Sequence, residues 1–284
     1  MKSVQLMVDG VEGKTSLRLD SLQASTLDKA KFRVLKKNWD YVALVVGLPS
    51  SGKSTLAISC AKYCCPWFDE TYIAFNADEF IELTKNCREN SSVMLDESFA
   101  SLNSRTTMTE DFIKIVNHLQ LIRQKLLFIF LCLPNFFDLA KGIAIFRSSH
   151  LFVTYADEEG DRGRFLAFDR DAKRKLYVKG SKYMDYNCVK SNYYAVFFKN
   201  EGIVNDKAYL NAKYQHLQSQ NRQTNSRKFL KISRDEIIYR LKTKFRWKTS
   251  KIMRLTKISR SEVNLIIKKQ RIMADNEATG AKIT

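Results

Sequence analysis

The chain has 284 residues, 45% of them hydrophobic, so it can bury a sizeable core and is not a disordered protein. No apolar run reaches the roughly 18 residues that span a bilayer, and the N-terminus lacks the apolar segment of a signal peptide. We therefore expect a cytoplasmic protein without membrane contact. The formal net charge is +18, which favours a polyanionic partner.

The first 40 residues are an N-terminal extension, in which Val4–Val8 and Ser16–Leu19 predict a small hairpin. A continuous apolar run, Tyr41–Val46, then predicts a strand covered on both faces. Strands and helices alternate after it, which predicts an α/β fold with a parallel sheet and helices on both faces. The further predicted strands are Thr71–Phe75, Ser92–Leu95, Leu126–Leu133 and His150–Tyr155, and the predicted helices are Thr55–Tyr63, Ala77–Lys85, Thr109–Gln124 and Phe136–Gly142.

Directly after the first core strand, residues 47–54 read GLPSSGKS and fit the pattern G-x-x-x-x-G-K-[ST] of a P-loop. The glycines of this pattern let backbone N–H groups converge on a phosphate at the positive end of a helix. An ordinary glycine-rich turn would not explain why Lys and Ser follow the second glycine. We expect Lys53 to reach the β- and γ-phosphates of ATP, and Ser54 to hold Mg²⁺ through its hydroxyl. The predicted cofactors are therefore ATP and Mg²⁺, bound by Gly47, Pro49, Ser50, Ser51, Gly52, Lys53, Ser54 and Thr55.

A pair of acidic residues follows the predicted strand Ser92–Leu95. We expect Asp96 to orient Mg²⁺ through water, and Glu97 to polarise the water that attacks the γ-phosphate. Two acids at a strand end are a weak signal alone, but here one strand and one helix separate them from the P-loop pattern. The presence of Glu97 favours hydrolysis over simple phosphoryl transfer.

Two further residues are candidates for a catalytic role at the γ-phosphate. Asn135 follows the next strand, where its amide could sense that phosphate; the alternative is an Asn that closes a turn after a proline. Arg147 is a candidate for an arginine that reaches a neighbouring subunit's nucleotide; a surface arginine or a structural ion pair is the alternative, and Arg105 and Arg123 are rivals. We expect four site residues at or near the carboxyl ends of parallel strands, where ligands of such sheets bind: Gly47, Asp96, Asn135 and Arg147.

Residues 41–155 resemble the P-loop NTPases with a catalytic glutamate, the division that includes AAA+ proteins and HerA–FtsK-type motors. The segments Ile122–Gln124 and Leu133–Leu139 are most similar to HerA–FtsK-type ATPases of phages and mobile elements. The resemblance implies a homo-oligomeric ring, a hexamer or pentamer, that moves DNA as it hydrolyses ATP. For a viral protein it implies work in the host cytoplasm.

The pattern changes after residue 155. Arg164–Phe168 and Lys175–Val178 predict a β-hairpin extension, and Asp206–Leu217 predicts a helix that ends an ATPase domain at residues 41–218. Residues 219–230 are polar at their start and predict a linker.

Residues 231–271 predict a small, basic, all-α domain that resembles a helix-turn-helix, and residues 272–284 predict a disordered tail. Residues 221–271 hold 17 Lys and Arg against three acidic residues, a formal charge of +14. The prediction has one helix capped by Ser233, a short helix at Ser250–Leu255 and a last helix that starts at Ser259. A solvated basic bundle or an AAA+ lid is the alternative. The residues expected to face DNA are Lys251, Arg254, Arg260, Asn264, Lys268 and Lys269.

The leading hypothesis is an ATP-hydrolysing DNA motor, a translocase or genome-packaging ATPase that acts on double-stranded DNA. The alternatives are an AAA+ helicase loader or initiator, a small-molecule kinase, and a DNA-binding regulator that uses ATP only as a switch. DNA-stimulated turnover would separate the first from the last two, and processive strand movement would separate it from a loader.

Overall fold

A computed structural model describes residues 2–96, 110–156 and 160–278. The chain divides into two units, Met1–Lys213 and Tyr214–Thr284. The first unit holds all of the strands, and the second holds helices alone among the residues described. The division falls a few residues before the predicted linker at residues 219–230.

The first unit is built on a seven-stranded sheet with the order β4-β5-β6-β3-β7-β8-β9, and a separate hairpin, β1–β2, precedes it. The pairs from β4 to β7 are all parallel, whereas β8 is antiparallel to both of its neighbours. The sheet is therefore mostly parallel, as predicted. The strands are β1 Ser3–Gly10, β2 Gly13–Asp20, β3 Tyr41–Gly47, β4 Ile73–Ala74, β5 Ser92–Leu95, β6 Phe128–Leu133, β7 His150–Tyr155, β8 Arg164–Phe168 and β9 Tyr193–Val196.

Helices cover both faces of this sheet, because its central strands alternate between two apolar clusters. Along β3, Ala43 and Val45 belong to one cluster, and Leu44 and Val46 belong to the other. The first cluster takes buried residues of α1 and α2, and the second takes buried residues of α3, α4 and α5. The helices are α1 Ser21–Lys37, α2 Lys53–Cys64, α3 Ala77–Asn86, α4 Glu110–Leu121, α5 Arg170–Gly180, α6 Asp206–Thr243, α7 Thr249–Thr256 and α8 Arg260–Ala278.

The predicted hairpin at residues 164–178 is wrong in its second strand. Arg164–Phe168 forms β8, but Lys175–Val178 lies inside α5. Helix α5 begins at Arg170 because the Asp169 side chain caps it. That side chain accepts hydrogen bonds from the backbone N–H groups of Asp171 and Ala172 at 3.1 and 2.9 Å.

The predicted helix at Phe136–Gly142 is also wrong. Residues 136–139 form a turn, and a π-helical stretch, Gly142–Arg147, begins at the last residue of the predicted helix. The turn begins at Asn135, whose side-chain oxygen accepts a hydrogen bond from the Phe137 N–H at 3.3 Å.

The predicted linker at residues 219–230 and the predicted helix start at Ser233 both fall within α6, which is continuous from Asp206 to Thr243. Residues 219–233 contain neither Gly nor Pro, so nothing in them ends a helix. The first part of the predicted tail is helical too, because α8 runs to Ala278.

The second unit has a small core where α7 and α8 meet the end of α6. Its buried residues are Ile238, Ile252, Val263 and Ile266, and Trp247 packs against them. The predicted capping of the last helix is confirmed, since the Glu262 N–H donates to Ser259 Oγ at 3.2 Å. Across the described part of the chain, no helix is long and apolar enough to cross a membrane.

Candidate nucleotide-binding site

The loop that joins β3 to α2, residues 47–52, is called the glycine loop below. Gly47 and Gly52 have φ of +154° and +93°, a region that strongly favours glycine. A Cβ atom at Gly47 would lie 2.3 Å from Thr154 Oγ1, and one at Gly52 would lie 2.6 Å from a ring carbon of Phe197. Both positions therefore require glycine, for backbone conformation and for space.

The glycine loop is fixed to β7 at its base and exposed at its tip. Ser51 Oγ lies 2.7 Å from Thr154 Oγ1, and the Thr154 hydroxyl lies 3.1 Å from the Val46 carbonyl oxygen. Leu48, Pro49 and Ser50 are exposed. Helix α2 then begins at Lys53 with Gly52 as its N-cap, and no side chain caps it. An uncapped helix N-terminus carries partial positive charge and suits an anion.

Lys53 folds back onto the glycine loop. Its Nζ donates to the carbonyl oxygens of Gly47 and Leu48, at 2.9 Å each, and the residue is only 5% exposed. The ammonium therefore lies against the loop that the sequence assigns to phosphate.

Ser54 and Asp96 meet at the carboxyl edge of the sheet. Ser54 Oγ donates to Asp96 Oδ1 at 2.9 Å, and Asp96 is fully buried at the end of β5. The two residues come from different motifs, and strand β6 lies between the strands that lead to them. The first turn of α2 brings Ser54 to the carboxylate. A hydroxyl beside a carboxylate is a donor set that Mg²⁺ accepts in proteins, so these residues fit the predicted metal.

Two residues that the sequence did not single out complete this cluster. Tyr209 Oη donates to Asp96 Oδ2 at 2.5 Å, and Lys213 Nζ donates to the same oxygen at 3.2 Å. Burial raises the pKa of Tyr209, and the charge of Asp96 raises it further, so the phenol stays protonated and acts as the donor. Their spacing along α6 places both on one helix face, but no sequence signal linked that face to Asp96.

Glu97, the predicted base, and Arg105, a rival arginine, lie outside the described residues. Their roles stay predictions from the sequence.

Asn135 follows β6 at the carboxyl edge, as expected, but its side chain has protein partners. Its Oδ1 accepts from the Tyr186 hydroxyl at 2.9 Å and from the Phe137 N–H at 3.3 Å. Tyr186 also accepts from the Phe136 N–H at 2.9 Å. These contacts match the turn-closing role that was the alternative, and phosphate sensing by Asn135 stays a prediction.

Arg147 lies at the other edge of the sheet from Gly47 and Asp96, which corrects the expectation that it lies near a carboxyl end. It precedes β7, and β7 runs parallel to β3, so it is at the amino edge. Its guanidinium donates twice to the Leu119 carbonyl, at 3.0 and 2.7 Å, and pairs with Asp40. This geometry matches the structural ion pair that was the alternative to a finger. Arg123, just before β6, is exposed at the same edge.

The amino edge also holds a cavity of about 1180 Å³ between α1 and the strand ends at Tyr41, His150 and Tyr193. It is lined by none of the glycine-loop residues. The candidate site at the carboxyl edge therefore lies apart from this cavity.

In the second unit, the residues predicted to face DNA are all exposed. Val263 and Ile266 of α8 are buried. Lys251 lies over the Trp247 ring at 4.0 Å, and Trp247 itself belongs to the small core. The exposed set is Lys251, Arg254, Arg260, Asn264, Lys268 and Lys269.

Within residues 2–96, 110–156 and 160–278, no group of three or more His, Cys, Asp or Glu side chains could hold a metal ion by itself. A metal that the nucleotide brings with it needs fewer protein ligands, and Ser54 with Asp96 suffice for that case. Comparison with protein-family models, with curated proteins and with solved structures gives no match to this chain.

Proposed function

We propose that the first unit binds ATP with Mg²⁺ in the glycine loop and hydrolyses it. The observation that carries this proposal is the 2.9 Å hydrogen bond from Ser54 to Asp96. It brings the end of the P-loop pattern together with the first acid of the second motif, although the two are 42 positions apart in the chain. A chance match to either pattern would not require this contact.

The strand order is compatible with a site that two motifs share. Strand β6 lies between β3, which leads to the glycine loop, and β5, which leads to Asp96. All three strands are parallel, and ligands of such sheets bind at the carboxyl ends of the strands.

Each residue has a defined task in this proposal. Backbone N–H groups of the glycine loop and the N-terminus of α2 bind the phosphates, and Lys53 leaves the Gly47 and Leu48 carbonyls to contact them. Ser54 and Asp96 hold Mg²⁺, which supplies positive charge to the phosphates when bound. Glu97 accepts the proton of the attacking water.

We further propose that hydrolysis drives movement of double-stranded DNA, with the second unit as the DNA contact. The charge of +14 in residues 221–271 and the exposed basic side chains of α7 and α8 support this. A homo-oligomeric ring, a hexamer or pentamer, is part of the proposal through the family resemblance. The geometry of Arg147 gives it no support as a finger.

The test is ATP turnover by the full chain, measured with and without duplex DNA. We expect turnover that rises with DNA, no nucleotide binding in Lys53→Ala, and ATP binding without turnover in Glu97→Gln. Equal ATP turnover by Glu97→Gln and the parent would remove Glu97 as the base. Lys36→Ala, at an exposed position of α1, is the control for loss of one lysine.

The DNA contact is tested by deleting residues 214–284, which removes the whole second unit, although any cut between the two units falls within α6. The salt dependence of duplex DNA affinity should become shallower, because fewer phosphates are neutralised. An unchanged slope would assign DNA binding to the first unit. Particle mass measured with ATP and DNA then tests the ring.

A further inference from the structure

Two side chains near the start of α6 donate hydrogen bonds to the carboxylate that the proposed site needs for its metal. Asp96 Oδ1 accepts from Ser54, and Oδ2 accepts from both Tyr209 and Lys213. Tyr209 and Lys213 are four residues apart, so one face of the helix supplies both contacts. Both oxygens of the carboxylate are thus engaged by protein groups.

The negative charge of Asp96 explains why the Lys213 ammonium lies beside it. Asp96 is fully buried, and a buried carboxylate needs a counter-charge close by. The Lys213 side chain is 22% exposed and supplies that charge at 3.2 Å. A divalent cation that bound to Asp96 would supply the same charge and would repel the ammonium at this distance.

The beginning of α6 has its own attachments, which do not involve Asp96. The Asn205 N–H donates to Glu70 Oε2 at 3.0 Å, and Asn205 Oδ1 accepts from the Ala208 N–H at 3.1 Å. The Tyr209 ring also lies 5.8 Å from that of Phe75, between ring centres. The helix can therefore lose its contacts with Asp96 while its N-terminal cap remains in place.

We propose that Tyr209 and Lys213 form a latch on Asp96 that opens when a magnesium nucleotide binds. This rests on the proposed function of the same site. Lys213 acts as an internal cation in the nucleotide-free chain, and it leaves Asp96 when Mg²⁺ arrives. Metal binding and release of Tyr209 and Lys213 from Asp96 are then one event, so the contacts of this part of α6 depend on whether the site holds the metal.

The direct test is the Mg²⁺ concentration that half-saturates binding of a fluorescent ADP, measured with the full chain. Lys213→Met keeps most of the side-chain volume and removes the charge. It should lower the required Mg²⁺ concentration about tenfold, the size of one lost charge-assisted hydrogen bond. Lys207→Met removes a lysine from the exposed side of the same helix and should change nothing. Tyr209→Phe, which keeps the ring against Phe75, should act in the same direction as Lys213→Met by a smaller factor.

Hydrogen exchange on the unmodified chain gives a second readout that needs no variant. Backbone amides of residues 209–213 should exchange faster with Mg²⁺ and ADP than with ADP and a chelator. Equal exchange in the two conditions, or a Mg²⁺ requirement in Lys213→Met equal to that of Lys207→Met, would overturn the latch.

The two proposals fail in different ways. If the unmodified chain binds no nucleotide, or if Lys53→Ala binds it unchanged, the proposed function is wrong and the latch with it. If Lys53→Ala loses binding and Lys213→Met leaves the Mg²⁺ requirement unaltered, only the latch is wrong.

Discussion

The pair between Arg147 and Asp40 gives a prediction that separates a structural arginine from a catalytic one. The two side chains are 17% and 9% exposed, and the guanidinium also donates two hydrogen bonds to the Leu119 carbonyl. Arg147→Met would leave the Asp40 carboxylate largely buried without its counter-charge. Breaking such a pair costs about 3 kcal/mol or somewhat more in the free energy of unfolding. For a unit of this size we expect the midpoint of thermal unfolding to fall by roughly 6–12 °C.

The assay is urea and thermal unfolding of Arg147→Met, beside ATP turnover at a temperature where the variant stays folded. We expect lower stability and nearly unchanged turnover per folded chain. Adding Asp40→Asn removes the uncompensated charge and should restore at least about 1 kcal/mol, because the two sites are coupled. The reasoning is refuted if Arg147→Met unfolds like the parent and yet loses turnover, since that pattern belongs to a finger.

Three more predictions concern other parts of the chain. Burial lowers the pKa of His150 to about 4, from an ordinary value of 6.5, so the folded state binds fewer protons between these pH values and loses stability as pH falls through them. In urea unfolding, the free energy of unfolding should fall by about 2.5 kcal/mol between pH 7.5 and pH 4.5 in the parent but not in His150→Phe. Equal losses in the two proteins would exclude His150 as the cause. Gly52→Ala should weaken ATP binding and lower stability by at least about 1–2 kcal/mol, whereas Gly142→Ala, whose Cβ meets open space, should do neither. Ile252→Ala should destabilise the second unit by about 2–4 kcal/mol and weaken DNA binding on heating, and Leu255→Ala, 64% exposed, is its control.

The sequence was a good guide wherever the information was local. The glycine loop, Lys53 and Ser54 follow one another in the chain, and the apolar run before Asp96 marks the end of a strand. The parallel sheet, the first hairpin and the cap at Ser259 were predicted for the same reason, because turn, cap and periodicity signals act over a few residues.

Errors arose where a short pattern fits two structures. Lys175–Val178 contains Tyr and Val, which favour strands, but the segment lies in a helix that the Asp169 side chain caps. Arg147 was placed at the wrong edge although its position before a strand already indicates the amino end. Tyr209 and Lys213 could not be found in this way, since only tertiary packing brings α6 to β5.

The contact between Gly52 and Phe197 determines which residues a fragment must include to keep the shape of the glycine loop. The Phe197 ring fills the space beside Gly52, and Phe197 is itself held by a β-bridge to Leu19 and by a 2.7 Å hydrogen bond from its N–H to the Gly163 carbonyl. A fragment trimmed to residues 41–155 would contain every residue of the two nucleotide motifs and none of these supports. The shortest excised piece that keeps the loop in this shape therefore begins within the first hairpin and ends beyond Phe197.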